Sequence, residues 1–322
     1  MQHLLVYSCT DNTITKVITL EDQNLQTIKS ADEELLTPEF LRKLEGLSLV
    51  ARRLFPGRMR GERRSIRRGA SVEFADYRNY STGDDFRRVD WNVYARLEKL
   101  FLKLFVEEED LRVYILIDTS QSMSFGSPSK LLYAKRIAAA LSYIALCGFD
   151  QVSVCALSEC RSSVMKPKRG KQSAIDIFDY LNNISSAGKT SLSASIRDFC
   201  LRNSHPGLAV VLSDFLDPEY ASCISPLVSR KFDVLMLQVL DQQEATPTLV
   251  GDLMLLDCEN GDKKEVTITQ SLLRGYHERL SELINGLERV SATYGCGYIQ
   301  VTNQTPFEDL VLGYMRQRGA LK

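Results

Sequence analysis

Histidine is nearly absent from this chain: three residues in 322, far apart, which leaves no imidazole-built zinc site. Cysteine is present but unorganised. The eight residues at 9, 147, 155, 160, 200, 223, 258 and 296 form no CxxC and no tight cluster, and several lie inside apolar runs. That excludes a disulfide framework and points to a reducing compartment, so the protein is expected in the cytoplasm. No apolar run spans a bilayer; the longest, "IAAALSYIALCGF" (137–149), is short and broken by polar residues. The first residues, "MQHLLVYSCTDNT", lack the basic start, apolar centre and cleavage site of a signal peptide. Neither sign of charge dominates, since the formal net charge is −1, so the total charge indicates neither a polyanion nor a membrane surface. Catalytic signatures are missing too. There is no G-x-S-x-G and no H-E-x-x-H, and the S-x-x-K at 127–130 has no S-D-N or K-T-G to accompany it.

What is present divides the chain into three regions. The first, about 1–68, opens with two strand-like runs around Asp11-Asn12. A helix should follow, with Thr37 as N-cap, Pro38 in the first helical position, and Phe40, Leu41, Leu44, Leu47 and Val50 at helical spacing. Eight arginines between 52 and 68 then face Glu62 alone. Such a run suits nucleic-acid or phosphate contact, or an exposed loop whose arginines pair with distant carboxylates. The second region, 69–110, is denser in unusual residues. Not one lysine occurs between Arg52 and Arg96, and arginines alternate with Asp84, Asp85 and Asp90 and with Tyr77, Tyr80, Phe86 and Trp91, the only tryptophan. Because arginine pairs carboxylates bidentately and stacks on rings, this reads as a specific hydrogen-bonded network.

From 111 onward strand and helix signals alternate, which implies an α/β fold with a mainly parallel sheet. Buried strands are expected at 112–118, 151–157, 208–214 and 232–240, and helices at 130–147, 172–184 and 191–203. A β-hairpin turning at Asn260-Gly261, a long helix over 271–294 and a short strand at "GYIQVT" close the chain. The expected division is therefore 1–110 and 111–322.

Gly188-Lys189-Thr190 resembles the end of an ATP-binding phosphate loop, but the first glycine of that motif would fall at Asn183, and a helical pattern precedes it instead of a strand. The stretch is not a phosphate loop. The first core strand ends differently: Asp118, Ser120 and Ser122 form D-x-S-x-S where strand gives way to loop. Asp214 ends a second apolar run, and Thr190 lies in a loop ahead of a helix that can reach the same rim. In an open parallel sheet, ligands gather at the carboxyl ends of the strands. Two carboxylates and three hydroxyls are hard oxygen donors suited to Mg²⁺ or Mn²⁺. Plain turn chemistry by Asp and Ser accounts for the same pattern in D-x-S-x-S taken alone.

Together these residues resemble the von Willebrand factor A (Rossmann-like, three-layer) fold and its metal-ion-dependent adhesion site. The resemblance assigns Asp118, Ser120, Ser122, Thr190 and Asp214 to the metal. "SDF" stands where many members have an aspartate followed by glycine. A longer match is similar to the bacterial and archaeal von Willebrand factor A-like proteins labelled domain of unknown function 58. It carries Arg78, Tyr80, Gly83, Asp84, Asp85, Arg87, Asp90, Trp91, Ala95 and Arg96. An N-terminal helical and β-rich, Arg-rich extension is expected ahead of the α/β domain, and the C-terminal hairpin with its long helix is also similar to that family. The resemblance implies a non-enzymatic accessory to a MoxR-type AAA+ ATPase that remodels or matures client proteins. A partner's acidic side chain would complete the metal. The signature residues read as structural wiring or as a partner contact. An Arg-rich nucleic-acid-associated protein and a metal-assisted hydrolase are the alternatives.

Overall fold

A computed structural model describes residues 8–10, 13–15, 35–47, 49, 72–81, 84–107, 111–158, 163–186, 188, 191–217, 219–248, 251–256 and 263–314. They belong to two compact units, one drawn from 1–54 and 111–322 and the other from 55–110. At the N-terminus β1 (Ser8–Thr10) pairs antiparallel with β2 (Thr13–Thr15). Helix α1 (Pro38–Leu44) begins as its sequence implies, with the Thr37 hydroxyl accepting the Phe40 N–H at 3.3 Å. It stops sooner than the apolar spacing out to Val50 suggests. Glu45 caps it, Gly46 follows, and the Leu47 N–H turns back to the Leu44 carbonyl. Phe40 and Leu44 are buried, the Phe40 ring lies 5.1 Å from Phe307, and the Tyr143 hydroxyl donates to Glu45 at 3.0 Å. The boundary expected at 110 therefore does not separate α1 from the α/β domain.

The smaller unit is a hairpin with a helix in its connection. β3 (Val72–Asn79) runs antiparallel to β4 (Phe101–Glu107), with α2 (Trp91–Leu97) between them. The charges of β3, at Glu73, Asp76 and Arg78, do not alternate strictly, and its register with β4 shifts between Phe74 and Asp76.

The larger unit begins with β5 (Arg112–Asp118), α3 (Lys130–Cys147) and β6 (Gln151–Leu157). Short strands β7 (Ser163–Val164) and β8 (Lys168–Arg169) precede α4 (Ala174–Asn182) and α5 (Leu192–Arg202). β9 (Leu208–Ser213), α6 (Tyr220–Ser229), β10 (Asp233–Leu240) and the single turn α7 (Gln242–Ala245) follow. The hairpin β11 (Gly251–Leu256) and β12 (Lys263–Ile268), helix α8 (Gln270–Tyr294) and β13 (Gly297–Thr302) complete it.

The sheet runs β13-β10-β9-β5-β6-β7, with β8 also on β6. Strands β13, β10, β9, β5 and β6 are parallel, and only β7 and β8 are antiparallel. Counted along the chain, this is the doubly wound order 3-2-1-4-5-6. Strands covered on both faces need continuous apolar runs, and β9 and β10 are buried at every position. On one face Leu116, Val211 and Met236 pack with Ile196 and Phe199 of α5, Ile224 and Leu227 of α6, and Leu287 of α8. Val113, Ile115 and Ile117, the alternate positions of β5, serve the face that α3 covers. Helix α3 also packs against α1 and α4, which explains why its alanine-rich middle is buried on all sides. No described helix is long and apolar enough to cross a membrane. Burial pushes the Cys155 thiol up to about 12 and the Cys200 thiol to about 11, so both behave as small apolar side chains.

Gly207 sits where β9 approaches the start of β5, and a Cβ there would overlap the Arg112 carbonyl oxygen and crowd the Tyr114 ring. The obstacle is backbone, which gives little. Gly207→Ala is expected to cost about 1–3 kcal/mol through overpacking. A thermal melt should show a midpoint several degrees lower; an unchanged midpoint would mean that β5 and β9 move apart there without cost.

Candidate functional site

Asp118, Asp214 and Asp241 each stand at or just past the carboxyl end of a strand, β5, β9 and β10 respectively. β5 and β9 are the neighbours between which the strand order reverses, the place where open α/β sheets bind ligands. All three carboxylates are buried, so each must be satisfied by the protein or by a ligand.

Asp118 is held from two sides. Its Oδ1 accepts the Ser120 N–H at 2.9 Å and its Oδ2 accepts the Ser213 hydroxyl at 2.7 Å. The first bond is the Asx-turn chemistry expected of D-x-S; the second comes from the end of β9 and is not local. Ser120 and Ser122, both fully buried, place their hydroxyls 2.8 Å apart. The Gln121 N–H donates to the Gly188 carbonyl at 3.1 Å, which sets the Gly188 loop beside D-x-S-x-S. Thr190, two residues further on, lies outside the described residues. That loop leads from α4 to α5, helix to helix, so the strand-to-helix geometry of a phosphate loop is absent at Gly188.

Asp214 is committed elsewhere. Its Oδ1 accepts the Leu216 N–H at 3.2 Å, and its Oδ2 accepts the Lys130 ammonium at 2.9 Å. Lys130, the first residue of α3, has no exposed surface, and its Nζ also donates to Glu244 Oε1 at 2.6 Å. Burial works against the ammonium's charge, but the Asp214 and Glu244 carboxylates outweigh it and hold Lys130 above the ordinary lysine value. Burial pushes the Glu244 carboxyl up, against the pull of Lys130. Glu244 Oε2 accepts the Asp241 N–H at 2.8 Å in a capping box at the start of α7. Asp241 in turn accepts Asn303 Nδ2 at 2.6 Å. Lys130 is the lysine of the S-x-x-K sequence; here it is a buried ion partner. Sequence reasoning overlooked it because its partners lie 84 and 114 residues away. The one signal was a lysine directly ahead of the apolar run Leu131-Leu132-Tyr133.

Phe215 explains the departure in "SDF". Its backbone is left-handed, φ 52°, where glycine is at ease, yet its ring is fully buried with Cys223, Ile224 and Phe232. The conformation costs about 1–2 kcal/mol, and burying a phenylalanine offsets it.

The signature residues of the smaller unit divide into a wired set and an exposed set. Arg78 Nη2 donates to Asp84 Oδ1 at 2.8 Å, and Asp84 Oδ2 accepts the Ser81 N–H at 2.8 Å. That backbone bond and the Arg78 guanidinium hold the Asp84 carboxyl below its usual range. Asp85 accepts the Arg87 N–H at 3.0 Å. Buried Asp90 caps α2 through the Asn92 and Val93 N–H groups at 2.9 and 3.3 Å, and accepts the Tyr77 hydroxyl at 2.8 Å. Tyr80 stacks on Phe86 with centroids 5.0 Å apart. Trp91, Arg87 and Arg96 point outward and are exposed, and Gly83 lies outside the described residues.

The profile of the family described as "Protein of unknown function DUF58" matches residues 76–282, from β3 through most of α8. The chain belongs to this family. Its similar proteins include the uncharacterized proteins Mb1516 of Mycobacterium bovis and Rv1480 of Mycobacterium tuberculosis. Each is 26% identical over 242 residues, spanning 73% of this chain and 76% of its own. Among solved structures, BatB from Bacteroides thetaiotaomicron aligns with a TM-score of 0.40 and 16% identity, covering 65% of this chain and 98% of that one. The VWA domain of SpRpn10 aligns with a TM-score of 0.36 and 11% identity, covering 63% and 94%. The DUF58 chain is von Willebrand factor A-like, as its strand order and D-x-S-x-S position already indicate.

Lys130→Met should leave two buried carboxylates without their cation and cost about 3–5 kcal/mol in urea unfolding. A wild-type midpoint would show that the ion pair contributes nothing net. Asp90→Ala should cost about 1–2 kcal/mol as a lost N-cap, read as faster hydrogen exchange at the Asn92 and Val93 amides. Unchanged protection there would refute the capping role.

Proposed function

We propose that this DUF58 protein is a non-enzymatic protein-interaction module whose docking point is the rim formed by Asp118, Ser120 and Ser122. The observation that carries the reading is that one carboxylate and two hydroxyls, all buried, meet at the switch point of the sheet. The donor set fits a hard cation: it is oxygen only, and no described group of three or more His, Cys, Asp or Glu offers a softer or more acidic alternative. Asp118, Ser120 and Ser122 would hold Mg²⁺ or Mn²⁺, with Thr190 from the neighbouring loop. Asp214, bound to Lys130 and the Leu216 N–H, would contribute through water and field rather than as a direct ligand. Bound there, the ion supplies a Lewis-acidic position for the carboxylate of a partner's Asp or Glu. The chain's own part is to hold Asp118 between Ser120 and Ser213, so that its orientation does not depend on the partner.

The family resemblance extends this reading to an accessory of a MoxR-type AAA+ ATPase, with the acidic side chain coming from the ATPase or from its client. Calorimetric titration of the whole chain with Mg²⁺ and Mn²⁺ tests the site. Saturable one-site binding is expected, lost in Asp118→Ala while that variant keeps its fold by circular dichroism. Equal binding by Asp118→Ala, or no heat from either ion at millimolar concentration, removes the metal from the reading.

A further inference from the structure

Of the two carboxylates that the adhesion-site pattern places at the switch point, Asp214 already holds a cation of the chain's own. The Lys130 ammonium sits 2.9 Å from its Oδ2 and has no exposed surface. That side chain is anchored at its base, where the Lys130 N–H donates to the Phe125 carbonyl at 2.9 Å and the Ser129 hydroxyl caps α3. Asp214 is anchored too. Its Oδ1 accepts the Leu216 N–H at 3.2 Å, and its carbonyl accepts Gln238 Nε2 at 2.9 Å. Gln238 is fully buried in β10, and Tyr298 of β13 donates to its Oε1 at 2.6 Å. This polar chain runs from β13 across β10 to the end of β9 and fixes the Asp214 backbone. Turning the Asp214 carboxylate away from the lysine would break the bonds to Lys130 and Leu216 and leave the ammonium to Glu244 alone.

The two carboxylates around Lys130 stand differently toward the rim. Ser213, the residue before Asp214, donates to Asp118 Oδ2 at 2.7 Å, so Asp214 adjoins the rim through its own backbone. Glu244 lies in α7, beyond the end of β10, and its side chain bonds Lys130 and the Asp241 N–H. A cation at Asp118 would thus have Asp214 as its near neighbour in the triad, and Asp214 is the acid between that cation and the lysine. An ammonium and a divalent ion drawn to the same carboxylate compete for it and repel one another.

We infer that Lys130, on the reading of the rim as a cation site, is a built-in competitor of that cation: by engaging Asp214 it lowers the affinity of Asp118, Ser120 and Ser122 for a divalent ion. The sign of its effect separates this role from a structural one. Removing a lysine that only braces the fold loosens the rim and weakens binding, whereas removing a competitor tightens it.

The test is calorimetric titration of full-length variants with Mg²⁺ and Mn²⁺, using two double substitutions that each remove one charge of either sign. Lys130→Met with Glu244→Gln frees Asp214, and Lys130→Met with Asp214→Asn frees Glu244. The first should bind about tenfold or more tighter than wild type, and adding Asp118→Ala should abolish the gain. The second should show no gain. Glu244→Gln alone strands no charge and gives Lys130 wholly to Asp214. It should bind more weakly than wild type, and it decides the matter if circular dichroism shows a double variant unfolded. Equal or weaker binding by the first variant, an equal gain in the second, a gain that survives Asp118→Ala, or unchanged binding by Glu244→Gln would each overturn the inference, and a wild type that binds would keep the metal reading standing. Binding by the first variant and not by wild type would support the competitor and remove the ion from the wild-type reading. Binding by none of these proteins would remove both.

Discussion

The buried ammonium of Lys130 is the interaction on which the larger unit's working edge depends. Desolvating a lysine is expensive, and a single carboxylate seldom repays it. Here two do, Asp214 at the end of β9 and Glu244 in α7, and the three groups join elements far apart in the chain. Because Lys130 is the first residue of α3, its position also fixes the end of the loop that begins at Asp118. From Glu244 the connection continues to Asp241 through the capping box and to α8 through the Tyr276 hydroxyl, which donates to the Glu244 carbonyl at 2.7 Å. Asn303 closes the circuit, donating to both Asp241 and the Pro128 carbonyl beside the same loop.

That wiring sorts the carboxylates of the rim by role. Asp214 and Glu244 neutralise an internal cation, and Asp241 caps α7 and receives Asn303. Asp118 accepts a backbone N–H and a serine hydroxyl, neutral donors that orient it. The switch point therefore orients Asp118 through a backbone N–H and a serine hydroxyl, and Asp214 through the Lys130 ammonium and the Leu216 N–H. The five residues of the adhesion-site pattern are not equivalent in this chain, although a sequence pattern treats them alike.

Legibility follows the range of the forces involved. β5, β6, β9 and β10 were readable because a strand buried on both faces must be a continuous apolar run. The Thr37-Pro38 start of α1 is a contact between near neighbours, and such contacts leave spacing in the sequence; the caps at Asp85 and Asp90 are as local, but their aspartates read as partners of the arginines around them. α6 left none: Pro226 inside it and its Ser and Cys residues look like loop, yet tertiary packing of Ile224 and Leu227 holds it helical. β7 and β8, two residues each, are too short to show a period. The S-x-x-K lysine was visible but its meaning was not, since only the fold brings residues 130, 214 and 244 together. The arginine–aspartate network expected around residues 78–96 is smaller than the composition implied. One salt bridge, Arg78 to Asp84, is described there, and the other acids serve backbone N–H groups and the Tyr77 hydroxyl.

This last point changes what the family signature means physically. If every arginine between 78 and 96 were tied to an aspartate, the segment would be electrically closed and its charges would speak only of folding. Because the aspartates are spent on capping, as the turn Ser81–Asp84 and the starts of both helical segments require, arginines remain over. Asp90 starts α2 by satisfying two orphan N–H groups, and Arg96 in the last turn is exposed, with no ion pair among the described residues. The helix that Asp90 starts buries none of its residues. From Arg78 to Glu98 four arginines meet three aspartates and one glutamate, so the segment is balanced in charge, and its acids differ in what they hold: an ion pair and a turn at Asp84, a backbone N–H at Asp85, a helix start at Asp90.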